Sequence, residues 1–204
     1  MSDTLDRAEL DQLFTFLARI QKEPPLREQL NQVQTAQEVS DMNSQAIRKV
    51  KDLSWSPMFF MTNVSISVGT VMNPAGPENG VGILSTNYLK DPTDPSWAND
   101  PGMTEWRNFM NKEMPGADQT DASYVFAYGV SKTVLQMLKQ CNGNFTRENI
   151  MKQAASIKDF ENPTLLPGIK VNTSATNFHP ITSMQMMRWD GKTWVRFGDV
   201  ISGA

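Results

Sequence analysis

The dipeptide Asp190-Gly191, set between Met184–Trp189 and Trp194–Phe197, constrains this chain more than any other feature. It predicts a hairpin, because a two-residue turn asks for positive φ at both central positions and Asp-Gly tolerates that. On the outgoing strand Met184, Met186 and Arg188 are expected on one side, and Gln185 and Met187 on the other. Trp194-Val195-Arg196-Phe197 is the return strand. A lone hairpin is marginal in water, so it has to pack on something earlier in the chain.

What precedes it is mostly helical. Met103, Trp106 and Met110 fall on one face of a helix expected over about 103–113. Tyr124, Ala127, Tyr128, Val134, Leu135 and Leu138 supply the stripe of a second over about 122–140. Asn142-Gly143-Asn144 separates it from a third over about 147–157, with Thr146 as N-cap and Glu148 at the positive helix end. Further upstream, Met58–Val64 and Val81–Thr86 are apolar runs of strand length. Between them lie a short helix or turn at Val68–Met72 and the turn cluster Asn73-Pro74-Ala75-Gly76-Pro77. Lys90–Pro95 reads as a loop, and Ile169-Lys170-Val171 alternates like a strand. Strands interleaved with helices predict an α/β fold.

Composition changes near residues 40–45. Before that point the chain is rich in Leu, Gln, Glu and Arg; after it, Gly, Trp, Met and Phe become common. The expected division is a helical module over 1–42 and a larger domain over 43–204. Leu10, Leu13, Phe14, Leu17 and Ile20 keep helical spacing, Pro24-Pro25 stops that helix, and Leu26, Leu30 and Val33 suggest a second. Thr35-Ala36-Gln37-Glu38 is a capping-box pattern, so a third helix is expected to start there. Val39, Met42, Ala46, Val50 and Leu53 continue it across the junction, and Ser56-Pro57 ends it.

Bulk properties exclude several functions. The formal net charge is −3, and the longest basic run is Arg48-Lys49-Val50-Lys51, too little for a nucleic-acid face. The start, Met-Ser-Asp-Thr-Leu-Asp-Arg, has no secretory pattern, so the chain as written is expected in the cytoplasm. Pro57–Met61 is too short to span a bilayer, and no direct membrane insertion is expected. The single cysteine, Cys141, reads as a helix-end residue without chemistry. No G-x-G-x-x-G or Walker pattern occurs, and no cofactor is expected.

The ordered set of elements resembles a known family. Gln45–Val50 through Trp55 resembles the last helix before the hinge of the type I periplasmic binding proteins that carry branched-chain amino acids and amides for ABC importers. Pro57–Asn63 resembles the strand that follows, and Asn63–Gly69 the ligand-side loop. Gly82–Thr86 into Lys90-Asp91-Pro92 resembles the strand leaving the C-terminal lobe, Tyr124–Leu138 the tyrosine-rich helix, and Leu166–Ile169 to Trp189-Asp190-Gly191 the closing hairpin. The resemblance covers about three quarters of the chain and implies a partial type I periplasmic-binding-protein fold. It implies a non-catalytic protein in the periplasm that binds a small amino acid or carboxylate and presents it to importer membrane subunits. The helices over 103–157 would then lack the sheet they normally cover. Leu10–Met42 is similar to the nitrogen-fixation-associated leader domain, a helical module of peptide precursors. That similarity implies an alternative: a leader or interaction module that recruits a partner protein and binds no ligand itself.

The resemblance points to Thr62, Asn63, Ser65 and Ser67 as ligand-binding residues, since polar loops at strand ends line clefts in α/β folds. The competing reading is ordinary capping of the next helix. Tyr88, after the second strand, is either a cleft wall or a hinge-packing aromatic. The lone His179 has no nucleophile or ligand set around it, and Glu105, Glu113 and Asp118 lack paired-carboxylate spacing. Asp91, Asp94 and Asp100 lack calcium-loop spacing and read as acids of a solvated turn.

Overall fold

The computed structural model describes residues 36–203. The helices expected between Leu10 and Val33, and the Thr35 cap, lie outside them. The first described helix, α1 (Ala36–Asp52), runs unbroken across residues 42–43. It ends in a Schellman turn: Ser54 adopts φ 50°, and the Trp55 and Ser54 N–H groups donate to the Val50 and Lys51 carbonyls at 3.1 and 2.9 Å. The helix therefore stops before Ser56-Pro57. Its inward face is not the expected one either. Ile47 and Ser44 are buried, while Val39 and Leu53 are exposed. Ser44 takes the inward position because its hydroxyl donates to the Val71 carbonyl at 2.9 Å.

The sheet is three-stranded and antiparallel, in the order β1 (Leu84–Asn87), β2 (Ser183–Trp189), β3 (Trp194–Ser202). Leu84 faces Arg188 in the first pair and Trp189 faces Trp194 in the second. Met58–Val64 does not form a regular strand. Only Phe59–Met61 runs alongside β1, in parallel, with Met61 N–H donating to Leu84 O and Leu84 N–H donating to Phe59 O, both at 2.9 Å. The two apolar runs are thus sheet neighbours through a single bridge. Ile169–Val171 likewise contributes one bridge, Phe160 to Val171.

The hairpin turn departs from the expected two-residue form. Gly191 has φ 100°, but Asp190 is not in the left-handed region. Asp190 Oδ1 instead accepts the N–H groups of Lys192 and Thr193, each at 2.8 Å, making a four-residue connection. On β2 the core side holds Met187 and Trp189, and Arg188 points out. A register shift at Gln185/Met186 separates the two halves of the strand.

Three helices follow β1: α2 (Pro101–Glu113), α3 (Ala122–Gln140) and α4 (Arg147–Ala154). Each starts on a side-chain cap, from Asp100, Asp121 and Thr146 respectively. Met103, Trp106 and Met110 are all buried, as their spacing requires. Helix α3 is different: Val125 and Gly129 are its buried positions, while Val134 and Leu135 are exposed. Its phase is set by a polar lock. Asn162 Nδ2 donates to the Gly129 carbonyl at 2.7 Å and to Thr133 Oγ1 at 3.1 Å, and Asn162 Oδ1 accepts from Thr164. A Cβ on Gly129 would collide with Thr164 Oγ1.

Of the acids around residues 91–100, Asp91 and Asp100 are structural, whereas Asp94 caps a short turn by accepting the Ser96 N–H in an exposed hydrogen bond. Asp100 caps α2 through the Met103 N–H and binds the Lys90 ammonium with both oxygens, at 2.8 and 2.9 Å. Lys90 is buried, also donates to the Pro163 carbonyl at 2.8 Å, and lies over the Trp97 ring. Asp91 accepts both the Thr93 N–H and hydroxyl, and its burial pushes its carboxyl pKa up. Burial also acts to raise the Asp100 pKa, but hydrogen bonds from Lys90 and Met103 prevail and hold it below the usual carboxylate range. Asp100→Ala, which removes both cap and counterion, is expected to cost about 2–4 kcal/mol in denaturant melts, against under about 0.5 kcal/mol for the exposed Lys112→Ala. Because folding depresses the Asp100 pKa, its contribution is full above the unfolded value near 4 and fades as pH falls through the folded one. The wild-type advantage over Asp100→Ala should therefore shrink in acid.

Candidate functional site

The loop Thr62–Ser67 follows the extended segment Phe59–Met61 at its carboxyl end. Two hydrogen bonds from distant residues fix it. Ser85 Oγ, on β1, donates to the Met61 carbonyl at 2.8 Å, and Trp194 Nε1, on β3, donates to the Ile66 carbonyl at 2.9 Å. Ile66 is buried beneath, and Val64 is 79% exposed at the crest. Trp189, packed on Trp194 with ring centroids 5.4 Å apart, pins the Pro77 carbonyl in the same way at 2.7 Å.

Within the loop, Thr62 is exposed and Asn63, Ser65 and Ser67 are half-buried. Thr62 Oγ1 donates to Ser65 Oγ at 3.2 Å. Ser67 Oγ accepts the Thr70 N–H at 3.4 Å and so caps the wide turn Val68–Met72, the ordinary role weighed for it above. That bond leaves its hydroxyl proton free to donate. Asn63 makes no side-chain hydrogen bond among the described residues.

Tyr88 lies elsewhere. Its backbone is held by the Asn87 side chain and by Leu166, and it is half-buried, which raises its hydroxyl pKa. It lines a groove of about 320 Å³ on α3 with Phe126, Val130, Val134, His179 and Ile181. None of Thr62, Asn63, Ser65 or Ser67 lines that groove. The structure thus keeps the four loop residues together and sets Tyr88 apart from them. The groove is largely apolar, and its α3 wall is exposed: Phe126, Val130 and Val134 are 46–48% accessible.

Sequence reasoning missed the turn that meets the loop. Gly69 packs on Thr120, whose hydroxyl and N–H both bind Asp118 Oδ1, at 2.7 and 2.9 Å. Those bonds hold the Asp118 carboxyl below the usual range. The available signal was Asp118-Gln119-Thr120, an Asx-turn pattern directly before the Asp121 cap. Glu105 pairs with Lys132 at 2.7 Å, and burial together with Glu105 pushes the Tyr128 hydroxyl up to about 12. Cys141 is buried at the end of α3. Among the described residues, no three His, Cys, Asp or Glu side chains converge to hold a metal, and no helix is long and apolar enough to cross a membrane.

A model of the periplasmic binding protein family matches residues 31–193. The chain belongs to the periplasmic binding protein family. Solved structures repeat the fold at low identity. A branched chain amino acid ABC transporter from Thermus thermophilus with bound valine aligns with a TM-score of 0.67 at 10% identity, over 79% of this chain and 43% of that one. A leucine binding protein from Thermotoga maritima gives 0.55 at 14%, over 80% and 42%. A fatty acid ABC transporter substrate-binding protein from Thermomonospora curvata gives 0.50 at 15%, over 79% and 41%. This periplasmic binding protein therefore spans about two fifths of the length of these solved relatives. No curated protein matches it.

Two outcomes follow from the packing. Trp194→Phe keeps an aromatic ring, though a smaller one, and orphans the Ile66 carbonyl, and should cost about 1–3 kcal/mol and speed amide exchange across 62–68. Val130→Lys, on the exposed wall, should change stability by under about 1 kcal/mol, while Val125→Lys, fully buried, should abolish the cooperative melt.

Proposed function

We propose that this chain is the solute-binding component of an amino-acid-type ABC importer, acting in the periplasm and binding a small amino acid or carboxylate without covalent chemistry. The observation that carries the reading is the Thr62–Ser67 loop. It sits at the carboxyl end of the extended segment beside β1, is held rigidly by Ser85 and Trp194, and keeps the Asn63 amide and the Ser67 hydroxyl proton unspent. Rigid loops with uncommitted polar groups suit recognition of a charged small molecule. Family membership supports the same reading, as do relatives whose names record valine and leucine. The ligand would sit on Thr62, Asn63, Ser65 and Ser67, with Tyr88 walling a more distant part of the cleft. Importer membrane subunits would be the protein partner.

A second reading has one observation in its favour: the family match begins at residue 31, so residues 1–30 fall outside it. On that reading the leader-like segment recruits a partner protein, and the rest binds nothing. Isothermal calorimetry of the full chain against the twenty amino acids and a set of short carboxylates separates the two. Saturable heat at micromolar ligand, weakened at least tenfold by the double variant Asn63→Ala/Ser67→Ala, is the expected result. Silence across the whole panel would favour the recruiting module.

A further inference from the structure

The sequence holds two Asn-Gly pairs, Asn79-Gly80 and Asn142-Gly143, and the fold treats them in opposite ways. Such a pair can modify itself without an enzyme. The glycine backbone nitrogen attacks the asparagine side-chain carbonyl carbon, and glycine shields that nitrogen least because it has no Cβ. The reaction needs a side-chain amide that nothing holds, a glycine N–H that nothing holds, and room for a five-membered ring. The first pair is tied down. Asn79 Nδ2 donates to the Ala75 carbonyl at 2.8 Å, and Gly80 is buried, with Met72 Cε 2.6 Å and the Trp189 ring 3.2 Å from where a Cβ would stand. The second pair is open. Asn142 and Gly143 are both exposed, with φ of 48° and 80°. Among the described residues, neither the Asn142 side chain nor the peptide joining it to Gly143 makes a hydrogen bond. A Cβ on Gly143 would meet nothing within 4 Å. The turn is held at its flanks instead: Asn149 Nδ2 donates to the Cys141 and Asn144 carbonyls at 3.2 and 2.8 Å. Asn144, the next asparagine, is engaged, since its Oδ1 accepts the Thr146 N–H and hydroxyl at 3.1 and 2.9 Å. Ring closure at Asn142 therefore has no hydrogen bond to break.

We propose that Asn142 is a site of spontaneous deamidation in the folded protein, giving a mixture of aspartate and isoaspartate in the turn between α3 and α4. The Gly143 nitrogen loses its proton to solvent and bonds to the Asn142 side-chain carbon. The C–N bond of the side-chain amide breaks, and ammonia leaves with a proton from water. Water then adds to one of the two carbonyls of the resulting succinimide. Opening at the side-chain carbonyl restores the main chain and leaves aspartate. Opening at the main-chain carbonyl routes the chain through the side chain and leaves isoaspartate. One water is consumed and one ammonia released, and no electrons are exchanged. Either product adds a negative charge at the C-terminal end of α3, where the helix dipole opposes it. Isoaspartate also adds one carbon to the main chain of a turn whose flanks Asn149 pins. The product belongs to the substrate class of methyltransferases that act on isoaspartyl carboxylates. No residue assigned to the ligand lies in this turn, so the proposal does not rest on the function proposed above.

The test holds the full chain folded at neutral pH in heavy-oxygen water, samples it over days, and digests it for mass spectrometry with electron-transfer fragmentation, which separates isoaspartate from aspartate. Labelled acid is expected at position 142 at least tenfold faster than at position 79 or 144, with isoaspartate among the products. An isoaspartyl methyltransferase with S-adenosylmethionine should then methylate the peptide carrying position 142. In denaturant, where the fold protects neither Asn-Gly pair, positions 79 and 142 should react at similar rates. Asn142→Gln, with its fold checked by a thermal melt, should lose the acidic species that ageing of the wild type produces on ion exchange. A native rate at 142 less than tenfold above that at 79 overturns the proposal. So does acid at 142 without isoaspartate, a gap between 79 and 142 that persists in denaturant, or an acidic species that survives Asn142→Gln unchanged.

Discussion

The Lys90 ammonium ties the sheet to the helices of this molecule. It leaves the sheet just beyond β1, passes over the Trp97 ring, and ends between the Asp100 carboxylate and the Pro163 carbonyl. Its backbone N–H is bound as well, to the Thr164 carbonyl at 2.9 Å. One residue therefore ties together β1, the start of α2 and the segment returning to the hairpin. A buried lysine is tolerated only when its charge is paired and its donors are used. Here the pairing group is also the cap of α2, so the cost of burying the charge is offset where the helix needs its first N–H satisfied.

The candidate site takes its shape from the other end of the same sheet. The Thr62–Ser67 loop is only two to seven residues past the bridge of Phe60 to Leu84, and one short turn, closed by the Ser65 N–H on the Thr62 carbonyl, lies within it. Its two ends are anchored by Ser85 on one side and by Trp194 on the other, a partner 128 residues along the chain. The paired tryptophans of the hairpin make this possible: each buries a large ring in the core and spends its single N–H on a loop carbonyl. The hairpin is thus a positioning element, and the apolar face that holds it in place also aims the polar loop.

Much of this architecture is legible in the residues. Met103, Trp106 and Met110 are buried as their spacing demands, Thr146 caps its helix, and α3 begins and ends where its pattern does. The misreadings share a cause. Asp100 reads as solvated because a sequence shows charge but not the buried lysine that meets it. Helical spacing puts Val39, Met42, Ala46, Val50 and Leu53 on one face of α1, whereas Ser44 turns inward because a carbonyl at Val71 awaits its hydroxyl. Met58–Val64 has the composition of a strand but gains only one bridge, since a strand is completed by neighbours and not by its own residues. At the site, Thr62–Ser67 was visible as a polar strand-end loop. The packing of Thr120 on Gly69 was not, because that contact exists only after the helices dock.

Helix α3 carries apolar residues on more than one face, and periodicity alone cannot choose among them. Phe126, Val130 and Val134 recur every four residues and are as good a stripe as the one through Val125 and Gly129. The choice is made by polar groups. Asn162 reaches the Gly129 carbonyl only if that glycine faces inward, and Thr164 fits against it only because no Cβ intervenes. Rotating the helix to bury Val130 would bring more hydrocarbon into the core but would strip the buried Asn162 amide N–H groups of both their acceptors, the Gly129 carbonyl and Thr133 Oγ1, and would turn a side chain against Thr164. Burial of an apolar residue yields about 1.5–3 kcal/mol. Orphaning the two donor N–H groups of the Asn162 amide costs about 1–3 kcal/mol each, on top of the clash at Thr164. The polar lock therefore holds the helix in the phase that keeps the Phe126, Val130 and Val134 wall at the surface, facing the groove that Tyr88 lines.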